Sequence, residues 1–142
     1  MIRTVIAERI ALIRAGLVAC IATERDIEVV AELDRRESVL PTISSLRPDV
    51  AIIDGDIACL DRFAVIQALH TITPSCHTLI MASRPSPGDL RKAVAAHAAG
   101  FVRKDASPEI ISEASTVRRR RRRWGCRRSP APGRRPRPRR PR

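Results

Sequence analysis

The chain has 142 residues, which suits one domain, and 44% of them are apolar while only 2% are aromatic, so aliphatic side chains must fill any core. The net charge of +12 is unevenly placed: residues 1–116 carry 13 Lys and Arg against all 15 Asp and Glu, whereas residues 117–142 carry 14 Arg and no acid. No apolar run approaches the ~20 residues of a membrane span, which disfavours a membrane-spanning protein.

Strand-like and helix-like patterns alternate along the first 116 residues. Strands are predicted at 2–7, 26–33, 50–54, 77–83 and 101–103, and helices at 9–22, 36–46, 61–70, 87–98 and from Ser107-Pro108-Glu109 onward. Asp61 is expected to cap the third helix and Gly100 to end the fourth. This alternation predicts βαβ units with a parallel sheet.

Charged residues stand at the predicted carboxyl ends of three strands. Glu8 follows the first strand, Asp54 ends the third, and Lys104 follows the fifth. Because ligands bind beyond this edge of a parallel sheet, we expect the three side chains to converge on a site. The alternative is that the acids merely meet solvent where strands end, but two acids and a lysine at three strand ends favour a site.

Four stretches carry a resemblance to a known family: MIRTVIAE at the start, TERDIEVVAE at 23–32, LRPDVAIID at 46–54 and AAGFVRKDASPE at 98–109. The chain to about residue 116 resembles the receiver domain of bacterial two-component response regulators of the NarL/FixJ (LuxR-type) group, with a DesR-like opening. The resemblance implies a flavodoxin-like, CheY-like α/β domain over residues 1–116. Its five-stranded parallel sheet would have the order 2-1-3-4-5, with helices on both faces.

The resemblance also implies a phosphorelay site. Asp54 matches the aspartate that accepts a phosphoryl group from a sensor histidine kinase, and Lys104 matches the lysine that contacts this group. Phe101 matches the aromatic residue that swings inward on activation. Glu8 matches the first acid of a pair that binds Mg²⁺, together with Asp54 and the backbone carbonyl of Asp56. A cation suits such a site because it offsets the negative charge that grows during phosphoryl transfer.

The sequence departs from the family pattern around this site. Arg9 replaces the second acid of the pair, and because a cation cannot ligate Mg²⁺, binding of the metal is expected to be weakened or absent. Ala82 has lost the switch hydroxyl at the end of the fourth strand, and Ser83 would substitute only if the strand had already ended. The loop at 57–62 lacks the usual Pro and both Gly residues.

Two interpretations of Arg9 stay open. In one, its guanidinium reaches Asp54 and stands in for the metal, which makes a phosphorylation-independent pseudo-receiver. In the other, Arg9 points to solvent and the site has decayed. Asp56 and Asp61 are alternative metal ligands, although a capping role is favoured for Asp61. The three histidines are expected to be isolated and structural or exposed: His70, His77 and His97.

Residues 117–142 break from the family pattern within the last predicted helix, where family members continue toward a DNA-binding helix-turn-helix domain. The composition predicts a disordered basic tail, and the output domain is expected to be missing. Such a tail would bind nucleic-acid phosphates without reading sequence, or anionic lipid. An out-of-frame translation of a GC-rich gene is the favoured origin.

The four cysteines form no CxxC pair, so they are interpreted as small buried apolar residues in a reducing compartment: Cys20, Cys59, Cys76 and Cys126. The start carries charge too early for a signal peptide, and the chain is expected in the cytoplasm.

The leading hypothesis is a receiver in a two-component phosphorelay that is degenerate at its acceptor site and acts as a signalling module. Its expected partner is a sensor histidine kinase, and a homodimer is left open. One alternative is a non-specific nucleic-acid-binding protein that acts through the tail. The other is a small phosphotransfer or phosphatase-like enzyme that uses Asp54, against which Arg9 and Ala82 argue.

Overall fold

In the computed structural model, which describes residues 1–57 and 62–116, strands and helices alternate along the chain. The strands are β1 (Ile2–Ala7), β2 (Ile27–Leu33), β3 (Val50–Asp54), β4 (His77–Ala82) and β5 (Gly100–Arg103). The helices are α1 (Ala11–Ala22), α2 (Val39–Leu46, after a 3-10 turn at Arg36–Ser38), α3 (Arg62–Ile72), α4 (Pro87–Ala95) and α5 (Pro108–Ser115).

The five strands form one sheet of order β2-β1-β3-β4-β5, in which every neighbouring pair is parallel. The predicted fold class is confirmed. β3 lies in the middle and is buried along its whole length, which explains its apolar run. After β2 the chain crosses β1 to place β3 on the other side, so the order reverses between β1 and β3.

Alternate strand residues feed two apolar cores, one on each face of the sheet. Val5, Ala51 and Ile53 pack with residues of α2, α3 and α4 on one face. Ile6 and Ile52 pack with residues of α1 and α5 on the other. Aliphatic side chains make up most of both cores, as the low aromatic content requires.

Several predicted boundaries are confirmed and others shift. The strands at 2–7 and 50–54 are found as predicted. The first helix begins at Ala11 because Glu8 Oε1 accepts the Ile10 N–H at 2.9 Å, which forms a turn before the helix. Pro41 is accommodated because it falls in the first turn of α2, where its missing N–H has no helical partner.

The predicted end of the fourth helix was wrong. Gly100 is the first residue of β5, and α4 ends at Ala95. His97 provides the left-handed residue, with φ 65°. The His97 N–H donates to the Val94 carbonyl at 3.1 Å, and the Ala98 N–H donates to the Ala93 carbonyl at 2.9 Å. These bonds satisfy the last carbonyls of the helix.

Some predictions lie outside the described residues: the cap at Asp61, the loop at 58–61, Cys59, Cys126 and the tail at 117–142. Within the described part, Cys76 is buried, Cys20 is half-buried, and both are free thiols. No helix in the same part of the chain is long and apolar enough to cross a membrane.

Candidate functional site

The carboxyl ends of β1, β3 and β5 bring two carboxylates and one ammonium together. Lys104 Nζ lies 2.8 Å from Asp54 Oδ1 and 2.9 Å from Glu8 Oε2. The side chains of Glu8, Asp54 and Lys104 are 1%, 2% and 8% exposed. We call these three residues the acidic clamp; it lies at the reversal of strand order, where parallel sheets place ligands.

Glu8 is held by its backbone and by one carboxylate oxygen. Its N–H donates to the Leu33 carbonyl at the end of β2 at 2.9 Å, and its own carbonyl accepts from Arg14 Nη1 at 2.8 Å. Glu8 Oε1 accepts the Ile10 N–H. Glu8 Oε2 is buried and faces the Lys104 ammonium at 2.9 Å.

Asp54 is positioned by the turn that follows β3. The Gly55 N–H donates to the Met81 carbonyl of β4 at 2.7 Å, which holds the turn against the next strand. The Asp56 N–H donates to Asp54 Oδ1 at 3.0 Å. The Asp56 N–H and the Lys104 ammonium therefore both contact the same carboxylate oxygen of Asp54.

Lys104 is fixed at the end of β5 by its backbone, since its N–H donates to the Ala82 carbonyl at 3.0 Å. Burial lowers the pKa of its ammonium. Hydrogen bonds to Asp54 and Glu8 and the charges of these two carboxylates outweigh the burial, so the pKa of Lys104 is raised above its ordinary value of 10.5. The lysine is therefore charged at neutral pH.

Arg9 and Asp56 lie beside the clamp without joining their side chains to it. Arg9 is exposed, and within residues 1–57 and 62–116 it forms no hydrogen bond or ion pair with Asp54. This position agrees with the interpretation in which Arg9 points to solvent. The side chain of Asp56 is exposed, and its backbone contributes the N–H that Asp54 accepts.

The two expected switch positions lie on β4 and β5. Ala82 is the last residue of β4 and is buried, whereas Ser83 follows the end of the strand and is exposed. Phe101 is half-buried, lies opposite Ile80 in the strand pairing, and packs against the core that contains Val5.

Arg14 was not predicted from the sequence as a functional residue, and the prediction for two histidines was wrong. Arg14 is the only charged residue of α1, and this is the signal by which it could have been singled out. His70 and His97 were expected to be isolated, but their rings stack with centroids 4.3 Å apart and an interplanar angle of 15°. That contact joins α3 to the end of α4, and periodicity along the chain does not predict it. His77 opens β4 and is half-buried.

The acidic clamp offers a poor set of ligands for Mg²⁺, which prefers six oxygen ligands in octahedral order. No group of three His, Cys, Asp or Glu side chains suited to a metal ion is found among the described residues. Between the two carboxylates lies an ammonium at hydrogen-bonding distance from both. The residue after Glu8 is a cation, so it adds no oxygen ligand.

The fold and the clamp together define a class of signalling domain. Residues 4–116 match the family model described as the response regulator receiver domain, and the chain belongs to that family. It is a receiver domain of the kind found in two-component systems.

Particular relatives agree with the predicted NarL/FixJ (LuxR-type) group. A transcriptional regulatory protein named NarL from Mycobacterium tuberculosis is 27% identical over 113 residues, which are 80% of this chain and 52% of that protein. The chain spans about half the length of the curated relatives it matches.

Solved structures give the same result. The signal receiver domain of the response regulator NarL from M. tuberculosis superimposes with a TM-score of 0.79 at 26% identity, over 85% of this chain and 98% of that one. A DNA-binding response regulator of the LuxR family from Staphylococcus aureus superimposes with a TM-score of 0.75 at 23% identity, over 82% and 98%, and shows the shared fold. The resemblance predicted from the sequence is confirmed.

Proposed function

We propose that the chain is the receiver part of a two-component response regulator and that Asp54 is its phosphoacceptor. The observation that carries the proposal is the buried Asp54 carboxylate at the end of β3, 2.8 Å from the Lys104 ammonium. An oxygen of Asp54 attacks the phosphorus of a phosphohistidine on a sensor histidine kinase. The phosphorus–nitrogen bond breaks, its electron pair returns to the imidazole, and the phosphoryl group is left on Asp54 as an acyl phosphate. Lys104 offsets the added negative charge.

We infer that the site is degenerate toward Mg²⁺. Arg9 stands in the position of the second acid and supplies positive charge where an oxygen ligand is needed. The Lys104 ammonium already lies between Glu8 and Asp54, where it contacts both carboxylates and offsets one of their two negative charges. The residues present therefore do not fit the metal, and weak or absent Mg²⁺ binding follows.

We also propose that phosphorylation of Asp54 is weakly coupled to conformational change in the rest of the domain. A methyl group at Ala82 cannot hydrogen-bond a phosphoryl oxygen, so phosphorylation would draw the end of β4 inward less strongly. Phe101, which packs beside β4, would then respond weakly. Ser83 lies just past the end of the strand and is the hydroxyl available to substitute.

Receiver domains are signalling rather than catalytic modules, and we propose that this chain acts by binding partners. The partner is a sensor histidine kinase, and a second copy of the chain is an additional candidate. The NarL relative is named as a transcriptional regulatory protein, so control of transcription is proposed for the protein to which this receiver belongs. Binding of nucleic acid by the Arg-rich tail stays a prediction from composition.

Phosphorylation by a small-molecule donor tests this function. The full chain is incubated with acetyl phosphate and Mg²⁺, and intact mass is used to detect one added phosphoryl group. Asp54→Asn is the control and Arg9→Asp restores the missing acid. We expect the Arg9→Asp protein to be phosphorylated much faster than wild type and Asp54→Asn to remain unmodified.

Two other outcomes would change the proposal. Rapid phosphorylation of the wild type at Asp54 would show a working receiver and remove the degenerate part of the proposal. If neither wild type nor Arg9→Asp gains a phosphoryl group while both are folded, Asp54 is not a phosphoacceptor.

A further inference from the structure

A side chain of α1 reaches back to hold the loop that carries Glu8 and Arg9. Arg14 Nη1 donates to the Glu8 carbonyl at 2.8 Å, and Arg14 Nε lies 3.5 Å from Oε2 of Glu32 on β2. The Arg14 side chain is 20% exposed and that of Glu32 is 47% exposed. One guanidinium therefore connects α1, the loop and the edge strand of the sheet.

The contacts on Glu8 determine where its second carboxylate oxygen, Oε2, lies. β2 holds its N–H through Leu33, Arg14 holds its carbonyl, and the Ile10 N–H holds Oε1. With the backbone and one oxygen fixed, Oε2 faces Lys104 at 2.9 Å. Loss of any of these contacts would let the carboxylate rotate away from the ammonium.

We propose that Arg14 is a positioning residue for the acidic clamp: by holding the Glu8 carbonyl, it keeps Glu8 Oε2 against Lys104 and leaves Arg9 turned toward solvent. This inference deepens the proposed function and rests on it. A planar guanidinium suits the task because its N–H groups serve a carbonyl and a carboxylate at once. An ammonium at the same position would reach the carbonyl but would serve the two partners less well.

The chain provides its own reference for a test. It contains two lysines, Lys104 in the clamp and the exposed Lys92. The full chain is labelled briefly with acetic anhydride, and mass spectrometry gives the ratio of labelling at Lys104 to that at Lys92. Because Lys104 is buried in the clamp and Lys92 is exposed, the ratio reports how tightly the clamp holds the Lys104 amine away from the reagent.

Arg14→Met removes both contacts and keeps an aliphatic stem, and we expect the Lys104-to-Lys92 ratio to rise several-fold. Arg14→Lys should bring the ratio most of the way back to wild type. Arg25→Met, which removes an exposed arginine between α1 and β2, should leave it unchanged.

An unchanged ratio in folded Arg14→Met would overturn the proposal, even if the melting temperature fell, because it would show that Arg14 only braces the structure. If Arg14→Met does not fold, Arg14→Gln decides, because its shorter neutral side chain is polar but cannot hold the Glu8 carbonyl as the guanidinium does. The ratio should rise in this variant, and an unchanged ratio would refute the positioning role.

Phosphorylation separates this proposal from the proposed function. In the Arg9→Asp protein, Arg14→Met should slow phosphorylation of Asp54, and Arg14→Lys should restore it. If Asp54 is phosphorylated in no variant, the proposed function fails while the labelling ratio still decides the role of Arg14. If Asp54 is phosphorylated equally in all variants, Arg14 does not position the clamp.

Discussion

Lys104 and Asp54 form a buried ion pair of 2.8 Å at the carboxyl ends of two strands, β5 and β3, that are not neighbours in the sheet. Glu8, at the end of β1, shares the same ammonium. The acidic clamp therefore holds two negative charges against one positive charge. This imbalance makes its three residues unequal in their effect on stability.

Lys104→Met should be far more destabilising than Asp54→Asn. The first leaves two buried carboxylates without a counter-charge, which is expected to cost about 3–5 kcal/mol. The second leaves a neutral pair of Lys104 and Glu8 and removes repulsion between the carboxylates, so its effect should stay within about 1 kcal/mol. Urea denaturation of both variants measures the difference. Equal losses of stability would show that the charge imbalance is not what governs the clamp.

Alkaline pH should destabilise the fold through Cys76 before it does so through Lys104. Burial, and then the charge of Asp49, raise the pKa of the Cys76 thiol from 9.0 to about 12. Between these values the folded state keeps a proton that the unfolded state loses, so stability falls as pH rises. The raised pKa of Lys104 acts in the same direction, and it adds a further loss of stability as pH rises above 10.5. The chain has no tyrosine to obscure this range.

Cys76→Ala tests this assignment. The variant should lose less stability than wild type between pH 9 and 10.5, and both should lose stability at higher pH. Guanidinium denaturation at several pH values measures the slopes. Parallel curves for the two proteins across the lower range would mean that another group titrates there.

Thr4→Val should stabilise the protein. Thr4 Oγ1 is fully buried in β1 and has no hydrogen-bond partner among the described residues. Valine has the same shape without the hydroxyl, so the gain should be about 1 kcal/mol. Thr4→Ser is the control: it keeps the hydroxyl, loses a methyl group, and should destabilise. Thermal denaturation of the three proteins gives their order of stability. A Thr4→Val protein less stable than wild type would indicate that the hydroxyl has a hydrogen-bond partner in solution.

His97→Gly should be more stable than His97→Ala. The backbone at His97 has φ 65°, which glycine adopts without strain and alanine does not, so the two should differ by about 1 kcal/mol. Both variants remove the ring that stacks on His70, so the comparison isolates the backbone. Chemical denaturation measures the difference in stability between the two variants. Equal stabilities would mean that the end of α4 rearranges in the variants.

Much of the fold could be predicted from local pattern. The apolar run at 50–54 marked a strand buried on both faces, and the structure places β3 in the middle of the sheet. Segments with the hydrophobic period of a strand alternate with segments that have the period of a helix, which indicated βαβ units. The positions of Glu8, Asp54 and Lys104 at the ends of predicted strands indicated that they are neighbours. These features depend on backbone period and on a topological rule, both of which are readable along the chain.

Tertiary structure decided which partner each charged group met. The sequence by itself left Arg9 with two interpretations, while the structure places Arg9 in solvent, Lys104 between the carboxylates, and Arg14 on the Glu8 carbonyl. It also ended α4 at a left-handed His97 that stacks on His70. Such contacts join residues far apart in sequence, and they depend on rotamers and loop turns that hydrophobic periodicity does not encode. The local sequence pattern therefore determined the strands, the helices and the edge of the sheet at which the site lies. Packing in three dimensions determined which charged side chains pair at that edge.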